Sequence, residues 1–360
     1  MQSANENGVA TSYGHDMVNR LTAANAAVGT DYGFGYDNAG NLTRSVAGTA
    51  TTTHAYNGAN QRCWSFAGSA TSSCGTVPAG AVTSSYDGAG NLTGTSAGYA
   101  LVYNSRNQAT SITHPGGAAV PMGYADADNT ERVSAGSADF VNGPLGVTAR
   151  TEGSATTYYT RAPSGQILDE RLAGGATYYH LTDGQHNVRT LFTKAGTAAA
   201  RYAYTPYGDE VAQTQPDQAV HDGNPWRFAA GYPDIEGDLF YHFGARYYNR
   251  SGNWSQQDSF VGQVANPNSV NRYLYAGGDP VDFTDPTGHF SFTELFGGIS
   301  GLIGGGIEVA LGVATYIDAF SAEATLITYF AGIATGGVLI AFGVGVGVVG
   351  GVLIYDAFTS

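Results

Sequence analysis

The segments YDNAGNLTRSV (36–46) and YDGAGNLTGTS (86–96) are nearly identical, and they decide how the first half of the chain folds. In each copy, a tyrosine is predicted to end a strand. The polar Asp-x-x-Gly-Asn segment then forms a turn, and Leu-Thr begins the next strand. Gly40 and Gly90 suit the positive φ that tight hairpin turns need, and the asparagine after each glycine tolerates it. The repeat therefore predicts antiparallel hairpins.

Diverged copies extend the pattern through YNGANQRCWSF (56–66), YNSRNQATSI (103–112) and YADADNTERVS (124–134). Repeats at intervals of roughly 20–50 residues indicate an array in which each unit buries its face against the next. Tyrosine rings can stack between neighbouring hairpins while their hydroxyls reach water or backbone. The 52 glycines and 24 tyrosines also favour many short strands joined by turns. Residues 30–200 are predicted to be almost wholly β, and the polar segment 213–224 a surface loop.

Charge and composition divide the chain at Phe290. The formal net charge is −14, and every Lys and Arg precedes that residue. Such an acidic chain offers no electrostatic footprint for nucleic acid, which we therefore exclude as a partner. A cationic protein surface is compatible with this charge.

Cys63 and Cys74 bound the segment CWSFAGSATSSC. A disulfide between them would restrict the unfolded chain by about 3 kcal/mol, but two free thiols fit the sequence equally well. No pair of histidines has the spacing of a metal site, so neither a metal nor a cofactor is predicted. The N-terminal segment lacks the basic start and apolar run of a signal peptide. The repeat pattern starts abruptly, which suggests a piece of a longer protein.

Three further segments carry a family resemblance: RYAYTPYGDEV (201–211), NPWRFAAGYPDIEGDLFYHFGARYYNRSGNWSQQD (224–258) and NRYLYAGGDPVDFTDPTG (271–288). In this order they resemble the core domain of Rhs (YD-repeat) proteins. The resemblance implies a β-shell of spiralling antiparallel hairpins that encloses a C-terminal toxin and releases it at a DPxG motif. It implies a YD-repeat region at 1–177, a core domain at 178–289 and a toxin-like tail at 290–360.

Asp258 and Asp285 are the candidate catalytic residues. Two carboxylates that share one proton can hydrolyse a peptide, one acting as base on water and the other polarising the carbonyl. The resemblance places these acids in a single self-cleavage, between His289 and Phe290. The sequence departs from the family in having Ser259 after Asp258, where proline is usual, and His289 in place of leucine. Alternatively, the DPTG segment is only a turn that ends the last strand.

The tail contains two long apolar runs. Residues 324–355 form 32 positions without a charge, and 295–317 is interrupted only by Glu308. About 20 apolar residues span a bilayer as a helix, so we predict a transmembrane-like helical hairpin. Glu308 either lines a pore or marks a span that is only conditionally inserted. A buried apolar hairpin of a soluble domain is the alternative. Glycines at every fourth position would allow close helix packing and self-oligomers; they include Gly343, Gly347 and Gly351.

The sequence hypothesis is therefore the C-terminal part of a secreted or cell-surface polymorphic toxin. It would act as a self-cleaving aspartyl-type autoprotease, and its released tail would insert into membrane lipid. An immunity protein and secretion machinery are the expected partners. Two alternatives remain: a surface YD-repeat binding protein anchored by its tail, and a self-cleaving protein whose released tail is inert.

Overall fold

The structure is a computed structural model that describes residues 3–6, 9–125, 131–234, 239–262, 267–289, 331–335 and 338–342. The chain divides into two compact units, Met1–Leu295 and Phe296–Ser360. The first unit combines a long antiparallel sheet with a small aromatic core.

The long sheet contains 20 strands, and each strand pairs antiparallel with the next along the chain. Its first half consists of β1 (Ser3–Glu6), β2 (Val9–His15), β3 (Leu21–Ala26), β4 (Tyr32–Tyr36), β5 (Leu42–Ala47), β6 (Ala50–Tyr56), β7 (Arg62–Ala67), β8 (Val82–Tyr86), β9 (Leu92–Thr95) and β10 (Ala100–Tyr103). Its second half consists of β11 (Ala109–Thr113), β12 (Ala119–Tyr124), β13 (Arg132–Ala135), β14 (Ala138–Gly143), β15 (Gly146–Glu152), β16 (Ala155–Arg161), β17 (Ile167–Arg171), β18 (Thr177–Thr182), β19 (Val188–Thr193) and β20 (Ala198–Arg201). The prediction that residues 30–200 are mainly β is confirmed.

The repeat turns share one hydrogen-bond pattern. In the turn at 87–91, Asp87 Oδ1 accepts from the N–H of Ala89 at 3.0 Å and from the N–H of Asn91 at 2.8 Å. The Asn91 side chain donates to Asp87 Oδ2 at 2.9 Å, and Gly90 has φ +85°. The turns at 37–41 and 183–187 follow the same pattern. The predicted hairpin turns are therefore present, and each turn aspartate accepts its hydrogen bonds from groups within its own turn.

The repeat tyrosines connect successive hairpins. In each of these strands a β-bulge next to the tyrosine shifts the pairing register, as between Ser85 and Tyr86. The Tyr103 hydroxyl donates to the Leu92 carbonyl at 3.0 Å, and the Tyr36 hydroxyl donates to the carbonyl of Leu21 at 2.6 Å. The expectation that the hydroxyls reach backbone holds for these tyrosines.

The core consists of short elements that pack against the turns of the sheet. They are α1 (Gln218–Gly223), the 3-10 helices η1 (Phe228–Ala230), η2 (Pro267–Val270) and η3 (Ala276–Gly278), and strands β21 (Phe240–Phe243), β22 (Arg246–Asn249) and β23 (Asn253–Trp254). The Asn271 amide donates to Asn41 Oδ1 at 2.8 Å, and the Tyr273 hydroxyl donates to the Gly90 carbonyl at 2.5 Å. The row of repeat turns is thus the edge on which the core docks.

The polar segment 213–224 contains a helix where a loop was predicted. Helix α1 spans Gln218–Gly223, and Asp217 caps it by accepting from the N–H groups of Ala219 and Val220. A capped helix of this length is too short to show a helical period in the sequence.

Cys63 and Cys74 form a disulfide, with a Cα–Cα distance of 5.6 Å. Within the loop that it closes, the Trp64 indole is fully buried and donates to the Ser73 carbonyl at 3.0 Å. The bond therefore holds the loop over the sheet and decides between the alternatives that the sequence left open.

The second unit contains an antiparallel pair, β24 (Ala331–Thr335) and β25 (Val338–Phe342). These strands stand where a helix was predicted, and the rest of the predicted helical hairpin lies outside the described residues. Valine and isoleucine favour strands, and each glycine costs a helix about 1 kcal/mol relative to alanine. Among the residues that the structure describes, no helix is long and apolar enough to cross a bilayer.

Candidate functional site

A turn at residues 285–289, here called the strap, carries the first candidate carboxylate. Asp285 Oδ1 accepts from the His289 N–H at 3.2 Å and from the Thr287 hydroxyl at 3.3 Å. Gly288 has φ +68°, and the Thr287 carbonyl accepts from the Ala245 N–H at 2.9 Å. The strap is therefore pinned to the hairpin formed by β21 and β22, and Asp285 lies beside the amide of His289.

Arg246 joins the two candidate carboxylates. One of its terminal nitrogens, Nη2, lies 2.7 Å from Asp258 Oδ2 and 2.8 Å from Asp285 Oδ2. All three side chains are buried. A buried charge is stabilised only when it is paired, so this arrangement explains how two acids can lie together in the interior.

The guanidinium of Arg246 is itself held on several sides. Its centre lies 4.1 Å from the Trp254 ring, a distance at which a cation is attracted to the face of an indole. Its Nε donates to the Gly288 carbonyl, and its Nη1 donates to the Arg272 carbonyl at 3.3 Å. Arg246 therefore connects the strap, the β22–β23 hairpin and the segment that contains Arg272.

The second carboxylate is positioned by its own backbone. The Asp258 N–H donates to the Arg272 carbonyl at 2.9 Å, and Arg272 Nε donates to the Asp258 carbonyl at 2.6 Å. Asp258 Oδ1 accepts from the Phe260 N–H at 2.9 Å. Burial raises the pKa of Asp258, and the charge of Arg246 offsets part of that rise. This carboxyl is therefore easier to protonate than an ordinary aspartate.

His289 lies at the edge of the site. Its Nδ1 is 3.4 Å from the Ser259 hydroxyl, and with Phe260 and Thr287 these residues line an open surface depression. The two positions that depart from the family pattern, Ser259 and His289, therefore contact each other.

The structure brings Asp258, Asp285 and His289 together as candidate site residues, although the sequence separates them. Arg246 is the participant that the sequence analysis did not single out. It lies over the Trp254 ring and pairs with both candidate acids. The other predicted site residues lie outside the described part of the chain: Phe290, Glu308, Gly343, Gly347 and Gly351.

Comparison with known proteins places these features in context. No family model matches the chain. The tRNA3(Ser)-specific nuclease WapA of Bacillus spizizenii is 29% identical over 150 residues, which cover 41% of this chain and 6% of that protein. Human Teneurin-1 is 29% identical over 141 residues, covering 37% of this chain and 5% of its own length. A solved TcdB2–TccC3 complex has a TM-score of 0.42 and 15% identity, covering 78% of this chain and 18% of that chain.

The chain is thus similar, at low identity, to Rhs-type, YD-repeat proteins. It spans about 6% of the length of the WapA relatives that it matches. The Rhs-type likeness agrees with the tyrosine-led hairpins and their Asp-x-x-Gly-Asn turns. The division of the chain at residues 177 and 289 stays a prediction.

Proposed function

We propose that the chain is the C-terminal part of an Rhs-type polymorphic toxin that cuts its own backbone between His289 and Phe290. One arrangement supports this proposal. Two buried carboxylates share a nitrogen of Arg246, and one of them, Asp285, accepts from the N–H of His289. The WapA relatives, which are tRNA nucleases by name, favour a toxin of this general kind for the longer protein.

The proposed reaction divides the work between the two acids. Asp285, which pairs with Arg246, takes a proton from water as the water oxygen attacks the carbonyl carbon of His289. Asp258, whose pKa burial raises, enters protonated and donates its proton to the leaving nitrogen of Phe290. The C–N bond breaks, and water supplies the new carboxyl oxygen. A carboxyl whose proton affinity is raised by its environment is suited to act as a general acid.

Mass spectrometry of the purified 360-residue chain tests the cleavage. We expect a fragment that ends at His289, and we expect Asp258→Asn and Asp285→Asn each to leave the chain whole. Asp16→Asn is the matched control, because Asp16 Oδ1 also accepts from the N–H of the residue four positions later, and this variant should cleave normally. A wild-type chain that stays intact on prolonged incubation, or cleavage that persists in both site variants, would refute the proposal.

The released tail is proposed to be a membrane-active effector. Its apolar runs, with Glu308 as the charge within the first, motivate the idea. Membrane lipid is the proposed target, and tail self-oligomers, a cognate immunity protein and secretion machinery are the proposed partners. The kind of relatives matched supports delivery outside the producing cell. Dye release from liposomes by residues 290–360 is the measurement, and Gly347→Leu should reduce it.

Expression of residues 290–360 separates this function from the alternative of a membrane anchor. Growth arrest of the host supports an effector. Harmless localisation to the membrane supports a surface YD-repeat protein that is anchored by its tail. That result would refute the toxin function, whereas self-cleavage is tested separately by mass spectrometry.

A further inference from the structure

Three potential metal ligands meet away from the candidate cleavage site. His15 ends strand β2, Asp279 follows η3, and Asp282 lies in the next turn. One ligand atom from each residue can be chosen so that all three lie within 4.8 Å of one another. This is the one such group of histidine, cysteine or acidic residues found in the described part of the chain.

One pair in the group already has the spacing of two ligands of a metal centre. His15 Nε2 lies 3.3 Å from Asp279 Oδ2. Zinc binds imidazole nitrogen and carboxylate oxygen at about 2.0–2.1 Å, so two ligands of a tetrahedral ion lie about 3.3 Å apart. Asp282 has to approach by up to about 1.5 Å to complete a third ligand bond at that length.

A buried polar atom in the cluster lacks a hydrogen bond. The Asp279 side chain is 4% exposed. Its Oδ1 has no hydrogen-bond partner among the described residues, whereas its Oδ2 faces His15 Nε2 at 3.3 Å. Buried polar groups are nearly always hydrogen-bonded, and an orphaned one calls for an explanation such as a bound ion or water. Here the orphaned oxygen belongs to a carboxylate, which is a good metal ligand.

The backbone holds the two aspartates on the same side of a tight turn. The Asp279 carbonyl accepts from the N–H of Phe283 at 3.1 Å and from the N–H of Asp282 at 3.4 Å. The preceding residue, Gly278, is also fixed, because its carbonyl accepts from the Tyr207 hydroxyl at 3.2 Å. The aspartates are therefore prepositioned, which lowers the ordering cost of binding.

We propose that His15, Asp279 and Asp282 bind a divalent transition metal, with Zn²⁺ as the best fit. An imidazole with two carboxylates suits zinc, whereas Ca²⁺ and Mg²⁺ prefer oxygen ligands alone. Three protein ligands leave a fourth position for water. The ion would tie the hairpin of β2 and β3 to the core segment that leads into the strap, and this role is independent of the proposed cleavage.

Calorimetric titration of the metal-stripped full chain with Zn²⁺ tests the site. We expect one ion per chain with a Kd of about 1 μM or tighter, and a rise in Tm of at least about 3 °C at saturating zinc. His15→Gln and Asp282→Asn should each weaken binding by at least about 100-fold. Co²⁺ should give the visible absorption of a four-coordinate ion in the wild type only.

Asp222→Asn is the matched control. Asp222 lies 2.9 Å from His221 Nδ1, while Glu210 lies 2.6 Å from Nε2 of the same ring. Carboxylates on opposite ring nitrogens cannot converge on one ion, so this variant should bind zinc normally. Circular dichroism confirms that each variant is folded. Absent zinc binding by folded wild type, unchanged binding in both ligand variants, or tighter binding of Ca²⁺ than Zn²⁺ would each overturn the proposal.

Discussion

The repeat turn at 87–91 and the strap at 285–289 have similar local geometry but bind different groups at the second carboxylate oxygen. In both, an aspartate Oδ1 accepts from the N–H of the residue four positions later, at 2.8 Å in the repeat and 3.2 Å in the strap. In both, a glycine with positive φ stands just before that residue. They differ at Oδ2, which receives the amide of Asn91 in the repeat and the guanidinium of Arg246 in the strap.

A third turn, at residues 16–20, shows that an arginine alone does not make the strap special. Asp16 Oδ1 accepts from the N–H of Arg20 at 3.0 Å, and Arg20 Nε donates to Asp16 Oδ2 at 2.7 Å. Burial raises the pKa of Asp16, but the hydrogen bonds from Arg20 outweigh that effect, and the pKa is lowered. What distinguishes the strap is the second buried carboxylate, Asp258, on the same guanidinium nitrogen.

The comparison predicts unequal costs for removing the two arginines. Arg246→Met leaves two buried carboxylates without their cation and should lower the free energy of unfolding by about 3–5 kcal/mol. Arg20→Met breaks a partly exposed pair and should cost about 1 kcal/mol. Urea unfolding measures both. Equal losses in the free energy of unfolding would show that Arg246 stabilises the fold no more than Arg20 does.

The pH dependence of cleavage should follow Asp258. Because its folded pKa is raised, the protonated acid is lost as pH rises through that pKa. The cleavage rate should then fall by up to about tenfold per pH unit. Asp16 affects folding stability instead. Its pKa is lowered in the folded protein, so its contribution to stability is present above the unfolded pKa and is lost as pH falls through the folded pKa.

Cleavage half-times measured between about pH 4 and about pH 8 check this prediction, because that interval brackets the ordinary carboxyl range and neutrality. Asp16→Asn should leave the profile unchanged. A rate that rises steadily toward alkaline pH would contradict the role given to Asp258.

Replacing His289 with asparagine should make the strap resemble a repeat turn. The new amide can donate to Asp285 Oδ2, as Asn91 does to Asp87, and so compete with Arg246. A hydrogen bond worth about 1–1.5 kcal/mol corresponds to cleavage slowed by about tenfold. His289→Leu is the control, because it removes the imidazole without adding a donor. If the asparagine variant cleaves faster than the leucine variant, the competition does not occur.

The repeat turns were predictable because their interactions are local. Asp87, Gly90 and Asn91 lie within one short motif, and the residue types alone indicate the turn chemistry. The diverged copies were harder, because Asn60 and Asn107 adopt positive φ where glycine is usual. Asparagine tolerates that conformation more readily than most residues.

The site could be predicted only in part. Motif order identified Asp258 and Asp285, but nothing local shows that Arg246 lies between them. That contact needs the strap, β22 and the Arg272 segment to meet, which depends on the whole core. The same reason hid the group of His15, Asp279 and Asp282, since metal-site spacing was sought only along the chain.

The smallest effect is expected where the core docks on the repeat turns. The Tyr273 hydroxyl donates to the Gly90 carbonyl, whereas the Tyr124 hydroxyl donates to the Ala109 carbonyl within the repeats at 2.9 Å. Tyr273→Phe and Tyr124→Phe should each cost about 1 kcal/mol in urea unfolding. Tyr273→Phe loosens the core that carries the strap, so it should also slow cleavage, by a few-fold, and Tyr124→Phe should not. Equal slowing by Tyr124→Phe would mean that overall stability, rather than docking on the turns, sets the rate.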